Sequence, residues 1–462
     1  MAANEDVFVT GISFLSGRRV RIGFAGAGLL AVALLLPRTV WGETLQEVYD
    51  LARESDPRFR SAQAEARAIG MAFDQARAGF LPTVKLDFER TKTRQRIIES
   101  QNPIFGAGST TFPTQSDTLS INQPIFRKDL IARLEQARAV VQQAEFSLLA
   151  AEQDLQIRTT ASYLSVLAAA DSLALAQAER VAVGKVLDLA RERLKMGLGT
   201  ITNQYDAAAR FAVTQAREVE ATNKLRDARQ GLKEITGKVI DKVQSLKDDF
   251  ALAPPSPLSV EQWVESALSQ NLGLRARTSA VEVARQEIER QRAGHFPSVN
   301  LLLSRNRRDT GSTLFGGGSN VETTDLSLRL TVPIFEGGLT SAVTQEAVYR
   351  HQKAQEDVEQ ERRGVERLTR AAYDGTLGAV SLVQALKQSV SSQQSALEAK
   401  EEGLKAGLFA LLPVLDAQRD LYLAKRDYEQ SRYDYLIYRM RLKQAVGTLA
   451  EGDLLSVGDA LR

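Results

Sequence analysis

Two periods of apolar and polar positions run along this chain, and each occurs twice. Val84, Leu86 and Phe88 alternate with Lys85, Asp87 and Glu89, and Val299, Leu301 and Leu303 alternate less cleanly with Asn300 and Ser304. A second alternating run follows each: Leu119 and Ile121 against Ser120 and Asn122, then Leu326, Leu328, Leu330 and Val332 against Asp325, Ser327, Arg329 and Thr331. A period of two predicts strands with one apolar face. Elsewhere the step is helical. Leu130, Leu134, Ala137, Val141, Ala144, Leu148, Ala151 and Leu155 recur by fours and threes, as do Ala417, Leu421, Ala424, Tyr428, Ser431, Tyr435, Tyr438, Leu442 and Ala445. These are coiled-coil seams, and their alanines permit close helix approach.

The order of elements also repeats. Thr44 to Arg90 aligns without a gap on Ser259 to Arg305. Thr44 with Glu47, and Ser259 with Gln262, predict capping boxes at two helix starts. Asp56, before Pro57, and Asn271 predict second N-caps. Gly79 and Gly294 are expected to end the helices that follow, before Pro82 and Pro297. Long helices are predicted from 128 to 196 and from 339 to 406, each broken at a glycine turn and followed by a return helix. Segments 92–117 and 306–324 read as polar loops between paired strands. Pro124 and Pro333 mark the strand-to-helix transitions, because proline lacks the amide a ladder needs. The boundaries expected are 1–42 for an N-terminal extension and export signal, 43–250 for the first repeat and 251–258 for a Pro-rich linker. The second repeat is expected at 259–450 and a C-terminal tail at 451–462.

The N-terminus tells where the chain goes. Residues 1–17 read as an extension. Arg18, Arg19 and Arg21 precede an apolar run from Ile22 to Leu36, then Pro37 and Val40-Trp41-Gly42. This order of basic, apolar and small-residue regions is that of a cleaved secretory signal. A transmembrane anchor is the other reading, but the run falls short of the roughly 20 residues that a bilayer helix requires. Beyond residue 42 no apolar run is expected to span a membrane as a helix, which leaves a closed β-barrel as the way in. One chain supplies four predicted strands, and an open sheet leaves unpaired edges in lipid. Copies must therefore associate. Three give about twelve strands and two give about eight, within the range of bacterial barrels, and spacing alone leaves both open.

Charge and composition exclude several alternatives. The net charge of +2 is carried by the first 42 residues, with four arginines against two acids, so residues 43–462 are neutral. No basic field for nucleic acid remains. The chain has no cysteine, which excludes disulfides, thiolate sites and a lipidated N-terminal cysteine. Only His295 and His351 are present. Neither forms a metal-binding pair or a catalytic constellation, and Gly316-Gly317-Gly318 lacks the Lys-Ser/Thr of a phosphate loop. No enzyme activity, metal or cofactor is expected. A soluble periplasmic coiled-coil scaffold or adaptor would suit the heptads but not the paired strands with a continuous apolar face.

The most specific stretch runs from Gly407 through Pro413-Val414-Leu415-Asp416-Ala417, Leu421-Tyr422 and Ala424-Lys425. It continues through Ser431-Arg432-Tyr433-Asp434-Tyr435-Leu436-Ile437 to Lys443, Ala445 and Gly447-Thr448-Leu449. It resembles the TolC family of outer-membrane efflux and export proteins over nearly all of the chain after the signal. The resemblance is closer to the TolC branch itself than to the lipid-anchored branch. It implies a homotrimer whose twelve-stranded barrel continues into a long α-helical coiled-coil tunnel closed at its tip. It also implies a periplasmic adaptor and an inner-membrane pump as partners, besides outer-membrane lipid. The turns at Gly197-Leu198 and Gly407-Leu408 match the tip where adaptors dock. Of the family's paired tip aspartates only Asp416 matches; Pro413 stands at the first position. Asn203, Leu404 and Phe409 occupy further gate positions where the family has other residues. A hydrophobic constriction of Leu408, Phe409 and Leu411 is expected in place of the family's polar lock. Asp416 is expected either to stabilise its helix from the first turn or to line the pore. Drug efflux and one-step protein secretion both remain open.

Overall fold

The computed structural model describes residues 43–99, 101, 108–313 and 316–461. The segment read as an export signal lies outside the described residues. Helix α1 (Leu45–Ser55) starts on Thr44, whose Oγ1 accepts the Glu47 amide at 3.2 Å while Glu47 Oε2 accepts the Thr44 amide at 2.8 Å. Helix α2 (Pro57–Ala78) starts on Asp56, which accepts the Phe59 amide at 2.7 Å. In the second copy, α6 (Leu272–Arg292) is capped likewise by Asn271, which accepts the Leu274 amide at 3.0 Å. The box expected at Ser259 does not form. Helix α5 (Val260–Gln270) has no side-chain cap, and the Glu261 carboxylate in its first turn is held by Arg370 at 3.1 Å. The third helical position here carries neutral Gln262 where the first copy has the carboxylate of Glu47, and a neutral acceptor returns a weaker bond to the cap. Gly79 ends α2, whereas α6 runs into a single 3-10 turn, Ala293–His295.

Strands β1 (Thr83–Ile97), β2 (Gly108–Phe126), β3 (Ser298–Thr310) and β4 (Ser319–Thr331) form one antiparallel sheet in chain order. They reach far into the segments expected as loops: Lys92 pairs with Pro113 and Asp309 with Asn320. The ladder satisfies backbone groups whatever side chains they carry, so polar strands escape a search for apolar alternation. Pro124 does not stop the sheet. It pairs with Asn300, and the register shifts between Pro124 and Phe126, where a bulge takes up the missing amide. Pro333 does lie beyond the last residue of its strand.

Helices α3 (Lys128–Lys195) and α7 (Leu339–Lys405) are 68 and 67 residues long. At 1.5 Å per residue each extends about 100 Å. Helices α4 (Ile201–Thr236) and α8 (Leu411–Val446) return alongside them. Contrary to expectation, α3 is apolar enough over one stretch to cross a bilayer by length and composition. A third of that stretch is buried, and Tyr163, Leu164, Val166 and Leu167 of α3 join the main core with Tyr49, Leu232, Tyr435, Leu436 and Met440. Residues past 450 form α9 (Glu451–Gly458), whose Leu454 and Val457 join the same core.

Buried hydroxyls fasten the connecting segments to this core. Tyr163 donates to the Glu43 carbonyl (2.9 Å) and accepts the Gln244 amide (2.8 Å), and burial pushes its pKa up to about 12. Tyr435 bonds both the amide and the carbonyl of Ala253 at 3.0 Å, holding the Pro-rich linker in place.

Candidate functional site: the membrane sheet and the helical tip

The strand register sorts the sheet into two unlike faces. Val84, Ile121, Leu303 and Leu326 form one row across all four strands; Leu301 with Leu328 and Val299 with Leu330 continue it on one side, and Leu86 with Leu119 on the other. Val84, Leu86, Phe88, Leu326, Leu328 and Leu330 are all more than half exposed. Lys85, Asp87, Ser120, Ser304, Asp325 and Ser327 point the other way. On that face Asn306 Nδ2 donates to Ser116 Oγ (2.9 Å) and Thr118 Oγ1 (2.6 Å), and Ser116 is buried. The sheet thus curls around its polar side and presents its apolar side outward. β1 and β4 each keep one unpaired edge. At the helix end the apolar face continues into exposed Leu81, Ile125, Phe126, Phe296, Ile334 and Phe335, around Pro124 and Pro333. At the opposite end it gives way to ion pairs, Arg90–Asp117 at 2.7 Å and Arg305–Glu322 at 2.5 Å.

The tip lies at the other extreme of the long helices. Gly197 (φ 72°) and Gly407 (φ 74°) adopt the left-handed conformation that closes each helix. The amides of Leu198 and Leu408 donate back to the carbonyls of Arg193 (2.8 Å) and Gly403 (2.7 Å), the same closure in both copies. Leu198 (73%) and Leu408 (79%) are left exposed on the turns. Asn203 does not meet Asp416; its amide donates to Thr200 Oγ1 at 3.2 Å, capping α4. Pro413 falls in the first turn of α8, where its missing amide costs nothing.

Two expectations about the tip fail. Leu411 is buried against Val183, Leu187 and Ala207 of the first hairpin, so it cannot share a constriction with Leu408 and Phe409. Asp416 lies beyond the first turn of α8, which contains no acidic residue, so it does not serve the helix dipole. Its partner is Arg210 on α4, whose Nη2 donates to Asp416 Oδ1 at 2.7 Å; Arg419 stands 3.5 Å away on α8 itself. This pair ties one helical hairpin to the other. The two residues lie 206 positions apart, and no periodicity relates them. Phe409 folds back over Gly403, where an added Cβ would lie 2.2 Å from the ring. Leu404 is half-buried and packs against both tip clusters.

A sheet that is apolar outside and open at both edges, carried on paired helices of about 100 Å, defines a membrane channel subunit completed by further copies. The chain belongs to the outer membrane efflux protein family, whose profile matches residues 48–238 and 263–448. It is 32% identical over 429 residues to outer membrane protein TolC of Vibrio cholerae, covering 92% of this chain and 96% of that one. It is 28% identical over 426 residues to the alkaline protease secretion protein AprF of Pseudomonas aeruginosa, covering 92% and 88%. Among solved structures, the CmeC outer membrane channel of Campylobacter jejuni superposes with a TM-score of 0.77 at 15% identity, over 91% of this chain and 90% of that one. CusC superposes with 0.74 at 18% identity, over 88% and 92%. The fold is that of a trimeric twelve-stranded barrel continued by a helical tunnel, and the protein is an outer-membrane exit duct of the efflux or type I secretion kind.

Proposed function

We propose that three copies conduct substrates passively from a periplasmic adaptor and an inner-membrane pump to the outside. The observation that carries this is the outward apolar face with an open edge on either side. In lipid, that arrangement is satisfied only when β4 of one copy pairs with β1 of the next. Exposed Leu198 and Leu408, at equivalent positions of the two turns, give the adaptor matching apolar knobs around the tip. The closed tip is held by Arg210–Asp416 in each copy. Parting the hairpins releases Asp416, and three such carboxylates then ring the mouth and favour cations.

Cargo selection is left to the pump in this reading. Relatives include both an alkaline protease secretion protein, AprF, and an outer membrane efflux protein, BepC, and both cargo classes fit this duct. Crosslinking in cells followed by purification and mass spectrometry tests the reading. Adaptor peptides linked to residues 196–201 and 406–412 are expected. Recovery of the protein from the soluble periplasm, with no adaptor linked at either turn, would favour a coiled-coil scaffold instead.

A further inference from the structure

The outward face of β1 changes character abruptly. Val84, Leu86 and Phe88 lie on it, and the next four residues of the same parity are Arg90, Lys92, Arg94 and Arg96. Parity and exposure agree: Arg94 and Arg96 are exposed, whereas Thr93, Gln95 and Ile97, facing the other way, are partly covered. The partners of Lys92, Arg94 and Arg96 on β2 are Pro113, Thr111 and Ser109, none of them charged. Arg90 is occupied by Asp117 and Arg305 by Glu322, and Arg307 stands opposite both of these acids in the register, while Lys92, Arg94 and Arg96 form no ion pair among the described residues. Of the nearest acids along the chain, Glu89 faces the other way and Glu99 lies beyond the strand.

No such column exists at the helix end of the sheet, where the outward face ends in Leu81, Phe126, Phe296 and Phe335. The basic column therefore marks one membrane surface only, the one farther from the periplasmic helices. From Phe88 to Lys92 is about 13 Å along the strand, and about 10 Å along the membrane normal at a barrel tilt near 40°. Lys92 and the basic residues beyond it thus stand clear of the last apolar side chain on this face, Phe88.

We propose that Lys92, Arg94 and Arg96 bind the phosphate groups of the outer-leaflet glycolipid. The site repeats once per copy beside each β1–β4 seam. Guanidinium groups match phosphate geometry with paired donors, and the alternation of the strand spaces them about 7 Å apart, within reach of two phosphates on one headgroup. The adjoining Val84, Leu86 and Phe88 hold the acyl chains of the same lipid. This inference rests on the barrel reading above.

Detergent-stripped trimer is titrated with bisphosphorylated lipid A, dephosphorylated lipid A and inorganic phosphate, followed by thermophoresis. The same titration uses K92Q/R94Q/R96Q. Bisphosphorylated lipid A is expected to bind the wild type best. The triple variant is expected to lose on the order of 100-fold, at about 1 kcal/mol for each basic residue at a charged membrane surface. Equal binding by the variant, equal binding of dephosphorylated lipid A, or full competition by inorganic phosphate would overturn the proposal. Should the triple variant not assemble, the wild type alone decides. Its affinity must fall steeply from about 0.05 to about 0.5 M salt, because the attraction is screened, and a flat response overturns the site. A wild type that never forms a barrel would instead bring down the reading beneath it.

Discussion

Arg210 and Asp416 show how much one contact between two hairpins is asked to do. The aspartate is 40% exposed and the arginine 20%, so solvent weakens the pair and its worth is about 0.5–1 kcal/mol per copy. Small as this is, it acts three times at one mouth. Arg210→Ala is expected to raise the conductance of the resting channel in planar bilayers by on the order of tenfold. Asp416→Asn is expected to raise it similarly and also to lower cation preference, because the freed ring has lost its charge. Resting conductance equal to that of the wild type in both variants would remove the pair from any account of gating. A different residue secures the core. Asp56 is buried, and burial works to raise its pKa. The Arg158 guanidinium (2.8 Å) and the Phe59 amide outweigh this and hold the carboxyl below its ordinary value. A depressed folded-state value means stability that is full above the unfolded pKa of about 3.9 and lost as pH falls through the lower folded value. Asp56→Ala leaves Arg158 with Asp154 alone (2.6 Å) and α2 uncapped, and is expected to cost about 2–4 kcal/mol, read as a lower thermal dissociation temperature at neutral pH. The gap from the wild type should narrow in acid.

At the scale of elements, the α7–α8 turn sets a helix preference against a packing contact. Alanine in place of a mid-helix glycine ordinarily gains about 1 kcal/mol. At Gly403 the new Cβ would meet the Phe409 ring at 2.2 Å, so Gly403→Ala is expected to displace the ring and weaken adaptor capture. Adding Phe409→Ala removes the clash, and the double variant is expected to melt above Phe409→Ala alone. If Gly403→Ala bound adaptor as well as the wild type, the ring would have no part in shaping the tip. Elements whose identity rests on local chemistry were legible in the sequence. Asp56, Asn271 and Thr44 cap helices where their side chains predict, and Gly197 and Gly407 close the turns. What local chemistry does not determine was not legible. The polar halves of β1 and β2 are strands because their backbones pair, not because their side chains alternate in polarity. Ser259 makes no cap, and the Glu261 carboxylate beside it is taken by Arg370, 109 residues away in the chain. Of the tip residues, Asp416 was visible as a candidate, but Arg210 was not, because only the fold brings α4 to α8.

For the whole molecule, the claim is that the apolar face of the sheet meets lipid and the polar face meets water. Adjacent residues of β4 separate the two. Leu328→Arg puts a charge on the outward face and is expected to cost about 2–4 kcal/mol near the bilayer midplane, whereas Ser327→Arg, on the inward face, is tolerated and shifts ion selectivity. The fraction of each variant recovered as heat-modifiable oligomer in outer membranes measures the difference, and equal recovery would mean that the faces are misassigned. The repeat supplies two hairpins of like construction, and their four strands leave one edge at β1 and one at β4. Lipid gives those edges no hydrogen-bond partner other than another copy. The mass of the natively extracted particle tests this most directly, measured in detergent by light scattering with the detergent subtracted. Three chains per particle, dissociating to one only on heating with loss of β-structure, is the expected result. Two chains, or a single water-soluble chain that keeps its four-stranded sheet, would contradict it.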